Sequence, residues 1–189
     1  MTERETHTVK IAGITRDLEK FEVAPGVTIA VLNILGDVEL VQVASKELAQ
    51  RLSGLEPHAL ITAEAKSIPL IYQLAADMGL PYVVLRKHYK SYMGDALTAE
   101  TESITTGDVQ QLYMDEKDRE LVANRRVVLV DDVISTGSTL QGMKHITDAA
   151  KAQVVARAAI FTEGNDDEKW EDIIALGNLP VWVDEDKSE

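Results

Sequence analysis

From Val38 onward, apolar and polar positions fall into a succession of short blocks with alternating periods. Val38 to Leu52 places its apolar residues on one face of a helix, and Ser53 and Gly54 supply the stop. Ala59 to Thr62 is a short apolar run suited to a strand, and Ile68 to Met78 recurs at helical spacing. The rhythm continues with strands at Tyr82 to Leu85 and Val127 to Val130, a helix at Leu140 to Ala150 and a strand at Val154 to Phe161. Leu179 to Val183 has the pattern of an edge strand, with Trp182 as a packing residue. This alternation predicts an α/β fold, an open and mainly parallel sheet with flanking helices. Ligands of such sheets bind beyond the carboxyl ends of the strands, so the residues that follow each strand carry the chemistry.

The strand at Val127 to Val130 is followed directly by Asp131 and Asp132. A buried unpaired charge is heavily penalised, so two adjacent carboxylates there require cationic or hydroxyl partners. Ser135, Thr136, Gly137, Ser138 and Thr139 come next and open into the helix carrying Leu140, Met143, Ile146 and Ala150. Such a loop turns backbone N–H groups and hydroxyls toward an anion, and the positive end of the helix dipole adds to the attraction. Taken alone, the same residues serve equally well as a helix cap. Beside two acids the loop suits a phosphorylated ribose, because carboxylates accept hydrogen bonds from sugar hydroxyls while the loop holds the phosphate. The competing use of paired aspartates at a strand end is a phospho-acceptor or Mg²⁺ site, as in receiver-type domains, which does not require the serine and threonine loop.

The stretch VVLVDDVISTGST, Val127 to Thr139, resembles the phosphoribosyl pyrophosphate binding motif of the type I phosphoribosyltransferases. The resemblance implies that fold, with a small N-terminal hood and a flexible loop. It implies that Asp131 and Asp132 face the ribose 2′ and 3′ hydroxyls, and that Ser135 to Thr139 wrap the 5′-phosphate. It further implies substrate-borne Mg²⁺, met by Asp131 and Asp132 mostly through water or ribose hydroxyls.

Two other strand ends join this picture. Glu64, Ala65, Lys66 and Ser67 follow the strand at Ala59, with Ser67 placed as a helix cap and Pro69 in the first turn. A capped helix start accounts for these residues by themselves, yet in a parallel sheet the turn shares an edge with Asp131. The segment resembles the pyrophosphate loop of purine phosphoribosyltransferases, with Lys66 and Ser67 replacing the last two residues of Glu-Ala-Arg-Gly or Glu-Ala-Ser-Gly. Arg86 and Lys87 close the strand PYVVLRK, and two cations there can neutralise a polyphosphate. The connection at about 88–115 has the length of a lid, with Ile104 to Met114 forming part of a hairpin around Gly107. Lys90, Tyr92, Glu100 and Glu102 are its candidates for contacts made on closure. Adenine-specific relatives often carry a Glu-Tyr pair in this loop, whereas Glu102 is here followed by Ser103, so no catalytic base is assigned.

Pro25 to Glu39 resembles the purine-covering hood, at about 1–40, of adenine phosphoribosyltransferases; the layout also resembles archaeal hypoxanthine-guanine enzymes. Ile29 and Ala30 stand where the adenine enzymes typically have a stacking aromatic and an arginine, which leaves Ile29 either to pack on the base or to serve as core. The resemblance therefore implies a purine salvage enzyme with adenine ahead of the 6-oxopurines. Its catalytic set is Asp131, Asp132, Lys66 and Arg86, acting on phosphoribosyl pyrophosphate and a purine in a homodimer. A non-catalytic regulator that binds phosphoribosyl pyrophosphate is the alternative from another functional class, and its usual DNA-binding module finds little room in this length.

Composition narrows the classes. The chain has 189 residues, 45% of them hydrophobic, enough for a single domain over 1–189. A net charge of −13 argues against nucleic-acid and anionic-membrane partners and leaves anionic substrates to local groups. There is no cysteine, no apolar leader in MTERETHTVK and no run of membrane-spanning length, so a cytoplasmic setting is expected. The histidines are dispersed without metal-ligand spacing; His88 alone is near the expected site. Glu163, in the FTEGN segment after the last long strand, is a further candidate for base or metal-water contact, with solvation as the plainer role.

Overall fold

The computed structural model describes residues 4–102, 109–166 and 168–184. In chain order the strands and helices are β1 (Thr6–Ile11), β2 (Ile14–Ala24), β3 (Val27–Ala30), α1 (Val38–Leu52), β4 (Ala59–Ala63), α2 (Ile68–Met78) and β5 (Tyr82–Leu85). There follow β6 (Leu97–Glu102), β7 (Val109–Met114), α3 (Arg119–Val122), β8 (Arg126–Ile134), α4 (Ser138–Ala149), β9 (Gln153–Glu163), β10 (Ile173–Leu179) and β11 (Val181–Val183). The expected α/β architecture is present: a five-stranded sheet in the order β10-β9-β8-β4-β5, parallel at each pairing.

Its strands are apolar because both faces are covered. Val128 and Val130 of β8 join Leu60, Leu70, Ile71 and Leu74 with Leu40, Ala44 and Leu48 of α1. Val127 and Leu129, pointing the other way, meet Ile61, Val83, Leu85 and the α4 residues Met143 and Ile146. The α1, α2 and β5 bounds agree with those expected from periodicity.

Other boundaries differ. β8 runs beyond Val130, because Asp131, Val133 and Ile134 continue to pair with Ala159, Phe161 and Thr162 of β9. The acids thus lie within the strand, not after it. α4 begins at Ser138, two residues before the expected Leu140, since Gly137 already occupies the N-cap position. The expected edge strand at Leu179 to Val183 divides at Pro180: Leu179 ends β10, while Val181–Val183 pairs antiparallel with β3 in a different sheet.

That second sheet, β1-β2-β3-β11, is built mostly from the N-terminal segment. It is tied to α1 through Asp37, which caps the helix by accepting from the Leu40 N–H at 3.0 Å and also holds Arg16 of β2 at 2.7 Å. Val9, Ile11, Leu18 and Ala30 share the α1-side core, and Trp182 packs against it with His7 and Lys20 at its ring.

Within the connection at 88–115, β6 and β7 pair antiparallel from Leu97↔Met114 to Glu102↔Val109. Leu112 and Met114 of β7 are buried, so the base of this hairpin is part of the α4-side core. Ile104 and Gly107 lie outside the described residues, as does the Glu102 side chain. Among the described residues no helix is long and apolar enough to cross a membrane.

Candidate functional site

The carboxyl ends of β4, β5 and β8 place three segments at one edge of the parallel sheet. Ser67 stands at the N-cap of α2 with Pro69 in the first turn, as expected, but its hydroxyl does not cap the helix. It is buried and turns to β8: Oγ lies 2.6 Å from Asp131 Oδ1 and 2.9 Å from Asp132 Oδ1, and accepts the Asp132 N–H at 3.0 Å. The capping expectation is corrected on this point: the hydroxyl turns its proton to the carboxylates, and its oxygen accepts the Asp132 N–H in place of an N–H of its own helix. Lys66 completes the bridge, its Nζ 3.0 Å from Asp132 Oδ2.

One hydroxyl proton cannot serve two carboxylates at once. Burial and the charge of Asp132 accordingly push the Asp131 carboxyl up to about 7, against the opposing hydrogen bond from Ser67. Asp132, only 6% exposed, keeps its Oδ2 without a well-directed hydrogen bond among the described residues. That oxygen is enclosed beside the Lys66 ammonium, with lone-pair capacity left for a ligand or a metal-bound water once Lys66 moves aside.

On the β4–β5 side, the peptide bond Glu64–Ala65 is cis, and Ala65 is exposed. Both oxygens of Glu64 are engaged: Oε2 accepts from Arg86 Nε and Oε1 from the Lys87 N–H, each at 2.6 Å. Although partial burial opposes ionisation, these donors hold the Glu64 carboxyl below its ordinary pKa. Glu64 in turn raises the pKa of Arg86, with a smaller contribution from Tyr92. Arg86 also exchanges backbone hydrogen bonds with Tyr113, at 2.9 and 2.8 Å, which fastens the end of β5 to the hairpin. The Lys87 side chain is exposed. Lys90 and Tyr92 lie exposed around a 3-10 turn, Ser91–Met93.

On the β8 side, Asp131 and Val133 to Leu140 line a cavity of about 40 Å³. It contains Ser135, Thr136, Gly137, Ser138 and Thr139, so the predicted loop and the first predicted acid share one space. Gly137 takes φ +84°, a left-handed conformation that suits glycine, and its carbonyl accepts the Gln141 N–H as α4 begins. Thr136 and Ser138 share a hydroxyl contact of 3.1 Å. Ile29 stands apart from this cluster: it is half-buried in the second sheet, in register with Phe21 and Val181.

Two residues that the sequence reading did not single out touch this loop. The Trp170 ring packs against Gly137, 3.0 Å from where a Cβ would stand, and Lys169 Nζ donates to the Ser135 carbonyl at 3.4 Å. They belong to the β9–β10 connection. The Trp170 indole N–H is anchored on the Glu163 carbonyl at 3.2 Å. Burial raises the pKa of the half-buried Glu163 carboxyl, while the charge of Lys66 opposes the rise. Among the described residues there is no group of three or more histidine, cysteine or acidic side chains able to hold a metal by itself.

The chain resembles proteins of several kinds. It is 25% identical over 167 residues to the purine biosynthesis transcriptional repressor PurR of Bacillus subtilis, covering 88% of this chain and 58% of that protein. It is 31% identical over 115 residues to a hypoxanthine/guanine phosphoribosyltransferase of Methanothrix soehngenii, covering 61% and 57%. The chain thus spans less than three fifths of the length of either relative. Its fold superposes on the adenine phosphoribosyltransferase crystal structure from Thermoanaerobacter pseudethanolicus with a TM-score of 0.68 at 20% identity, over 85% of this chain and 95% of that one. Residues 33–182 match the phosphoribosyl transferase domain, so the chain belongs to that family.

Proposed function

We propose that this chain transfers the 5-phosphoribosyl group from phosphoribosyl pyrophosphate to a purine base, adenine favoured, giving a nucleoside monophosphate and pyrophosphate. The observation that carries the reading is the Ser67 bridge to Asp131 and Asp132, placed against the cavity lined by Ser135 to Thr139. In this reading the two carboxylates accept from the ribose 2′ and 3′ hydroxyls, and the loop's N–H groups and hydroxyls bind the 5′-phosphate. As a ring nitrogen of the base bonds to the anomeric carbon, the carbon–oxygen bond breaks and its electron pair leaves with pyrophosphate.

Stabilising that departure falls to the cations. Lys66 turns from Asp132 to the pyrophosphate, joined by Arg86, which Glu64 holds in place, and by Lys87. Ala65 and Ser67 shape the loop, and Lys90 and Tyr92 close from the hairpin side. Ile29 gives apolar cover to the base. Asp131 and Asp132 fit Mg²⁺ held mainly by substrate oxygens and water, given an Asp132 Oδ2 that has the Lys66 ammonium beside it but no hydrogen bond, and the absence, among the described residues, of a protein-only cage. When bound, the ion supplies charge neutralisation for the leaving group. A homodimer in the cytoplasm is part of the same proposal.

The base is the least constrained element. Adenine is favoured by the hood-like N-terminal stretch, while the hypoxanthine/guanine relative supports a 6-oxopurine. A second reading, a sensor that binds phosphoribosyl pyrophosphate without turnover, is favoured by the match of the repressor to 88% of this chain. Incubation with phosphoribosyl pyrophosphate, Mg²⁺ and, separately, adenine, hypoxanthine, guanine, xanthine, uracil or orotate decides among them. Nucleotide from a purine supports the enzyme and names its base. Binding without product establishes the sensor, and product from a pyrimidine alone overturns the purine assignment. Asp131→Asn combined with Asp132→Asn in a folded protein should abolish purine-dependent pyrophosphate release.

A further inference from the structure

Lys169 lies in the most acidic stretch of the β9–β10 connection, among Asp166, Asp167, Glu168, Glu171 and Asp172. Here Asp172 is taken by Arg157, and the Lys169 ammonium lies over the Trp170 ring, 4.4 Å from its centroid, with the Ser135 carbonyl as its hydrogen-bond acceptor. At 3.4 Å to a neutral oxygen, that hydrogen bond is long and weak. Trp170 is itself fixed, by its indole bond to the Glu163 carbonyl and by its ring against Gly137. The aromatic therefore carries a cation to the Ser135 carbonyl of the loop, where among the described residues no carboxylate forms an ion pair with it.

The loop has need of one. Ser135 to Thr139 offer only neutral donors and a helix terminus, and the adjoining Asp131 and Asp132 repel a phosphate dianion in a chain of net charge −13. A phosphate oxygen is a far better acceptor for an ammonium than a backbone carbonyl.

We propose that Lys169, carried on Trp170, is a 5′-phosphate-binding residue: when a sugar phosphate enters the loop, its ammonium leaves the Ser135 carbonyl for a phosphate oxygen. The assignment rests on the reading of Ser135 to Thr139 as the phosphate loop, and the two are separable. Titration calorimetry of the full chain with ribose 5-phosphate and with pyrophosphate, on wild type, Lys169→Gln and Lys169→Arg, tests it. Lys169→Gln should weaken ribose 5-phosphate about tenfold, and Lys169→Arg should restore it to within about threefold. Pyrophosphate affinity should be equal in all three proteins, and the salt dependence of ribose 5-phosphate binding should be shallower in Lys169→Gln. Unchanged ribose 5-phosphate affinity in Lys169→Gln overturns the proposal, as does an equal loss of both ligands, which marks a merely structural role. If the folded wild type binds no ribose 5-phosphate, the phosphate-loop reading falls first and the lysine's role with it.

Discussion

The Ser67 hydroxyl lies 2.6 Å from Asp131 Oδ1, across 64 residues of sequence. The same oxygen accepts the Asp132 N–H and lies 2.9 Å from Asp132 Oδ1, so one small side chain contacts three polar groups at the end of β8 with one proton to share between the two carboxylates. Ser67→Ala leaves these groups short of a partner at an edge too enclosed for water to replace it fully. The expected cost is about 1–3 kcal/mol of stability, read as a lower urea midpoint with an unchanged slope. Because the lost donor stabilised the ionised form, the Asp131 pKa should rise further in this variant.

A carboxyl pushed up to about 7 from an ordinary 3.8 binds its proton more tightly in the folded chain than in the unfolded one. Its contribution to stability is fully present below 3.8 and is lost as pH rises to about 7. Glu64 and Asp37, whose pKa values are lowered, act in the opposite sense, and their contributions vanish only as pH falls below the ordinary carboxylate range. Asp131→Asn should therefore gain on wild type as pH rises through the window from 3.8 to about 7 and level off above it. Denaturant melts across pH measure this. A sugar diol needs the ionised acceptor, so ribose 5-phosphate binding below about pH 7 should release a fraction of a proton. Calorimetry in buffers of different ionisation heat detects that release.

Much of this architecture was legible because it is local. The Val127 to Val130 run, the Ile68 to Met78 helix and the Tyr82 to Leu85 strand are each set by apolar periodicity that the folded sheet then uses. The residue types at the candidate site were legible for the same reason, since acids, cations and hydroxyls stand in or just after the carboxyl ends of these strands. Their connections were not. Nothing in the sequence ties Ser67 to β8 instead of to its own helix, or shows that Glu64 is engaged by Arg86 and the Lys87 N–H. β2 is hidden because ITRDLEKFEVA puts charges on its core-facing side: Arg16 reaches Asp37, and Lys20 covers the Trp182 ring at 4.0 Å. Trp170 and Lys169 are hidden among the surrounding acids, and only the folded chain brings them to Gly137 and Ser135.

Gly137 carries two constraints at once. Its φ of +84° is unfavourable for an L-residue, and a Cβ would stand 3.0 Å from the Trp170 ring. Gly137→Ala must either displace the indole or flatten the turn that starts α4. The backbone term alone is about 1–2 kcal/mol. Thermal unfolding should register that loss, while ribose 5-phosphate affinity should fall more steeply than stability does, because the loop's N–H groups depend on this one torsion.

The β1–β2 hairpin turns on Ala12 and Gly13, at φ +46° and +91°. Two consecutive positive φ values join these strands, and Gly13 meets the requirement at no steric cost. Ala12 does not, since its Cβ crowds the backbone in the left-handed region. Asparagine tolerates that region through local hydrogen bonding, and Asn-Gly is the favoured pair for such a turn. Ala12 is exposed and distant in sequence from the residues of the phosphate loop, so Ala12→Asn changes the turn with little else. The variant should be more stable than wild type by about 0.5–1 kcal/mol, with the urea midpoint as the measure. A lower midpoint would show that the register from Thr6↔Glu19 to Ile11↔Ile14 is not closed by this turn.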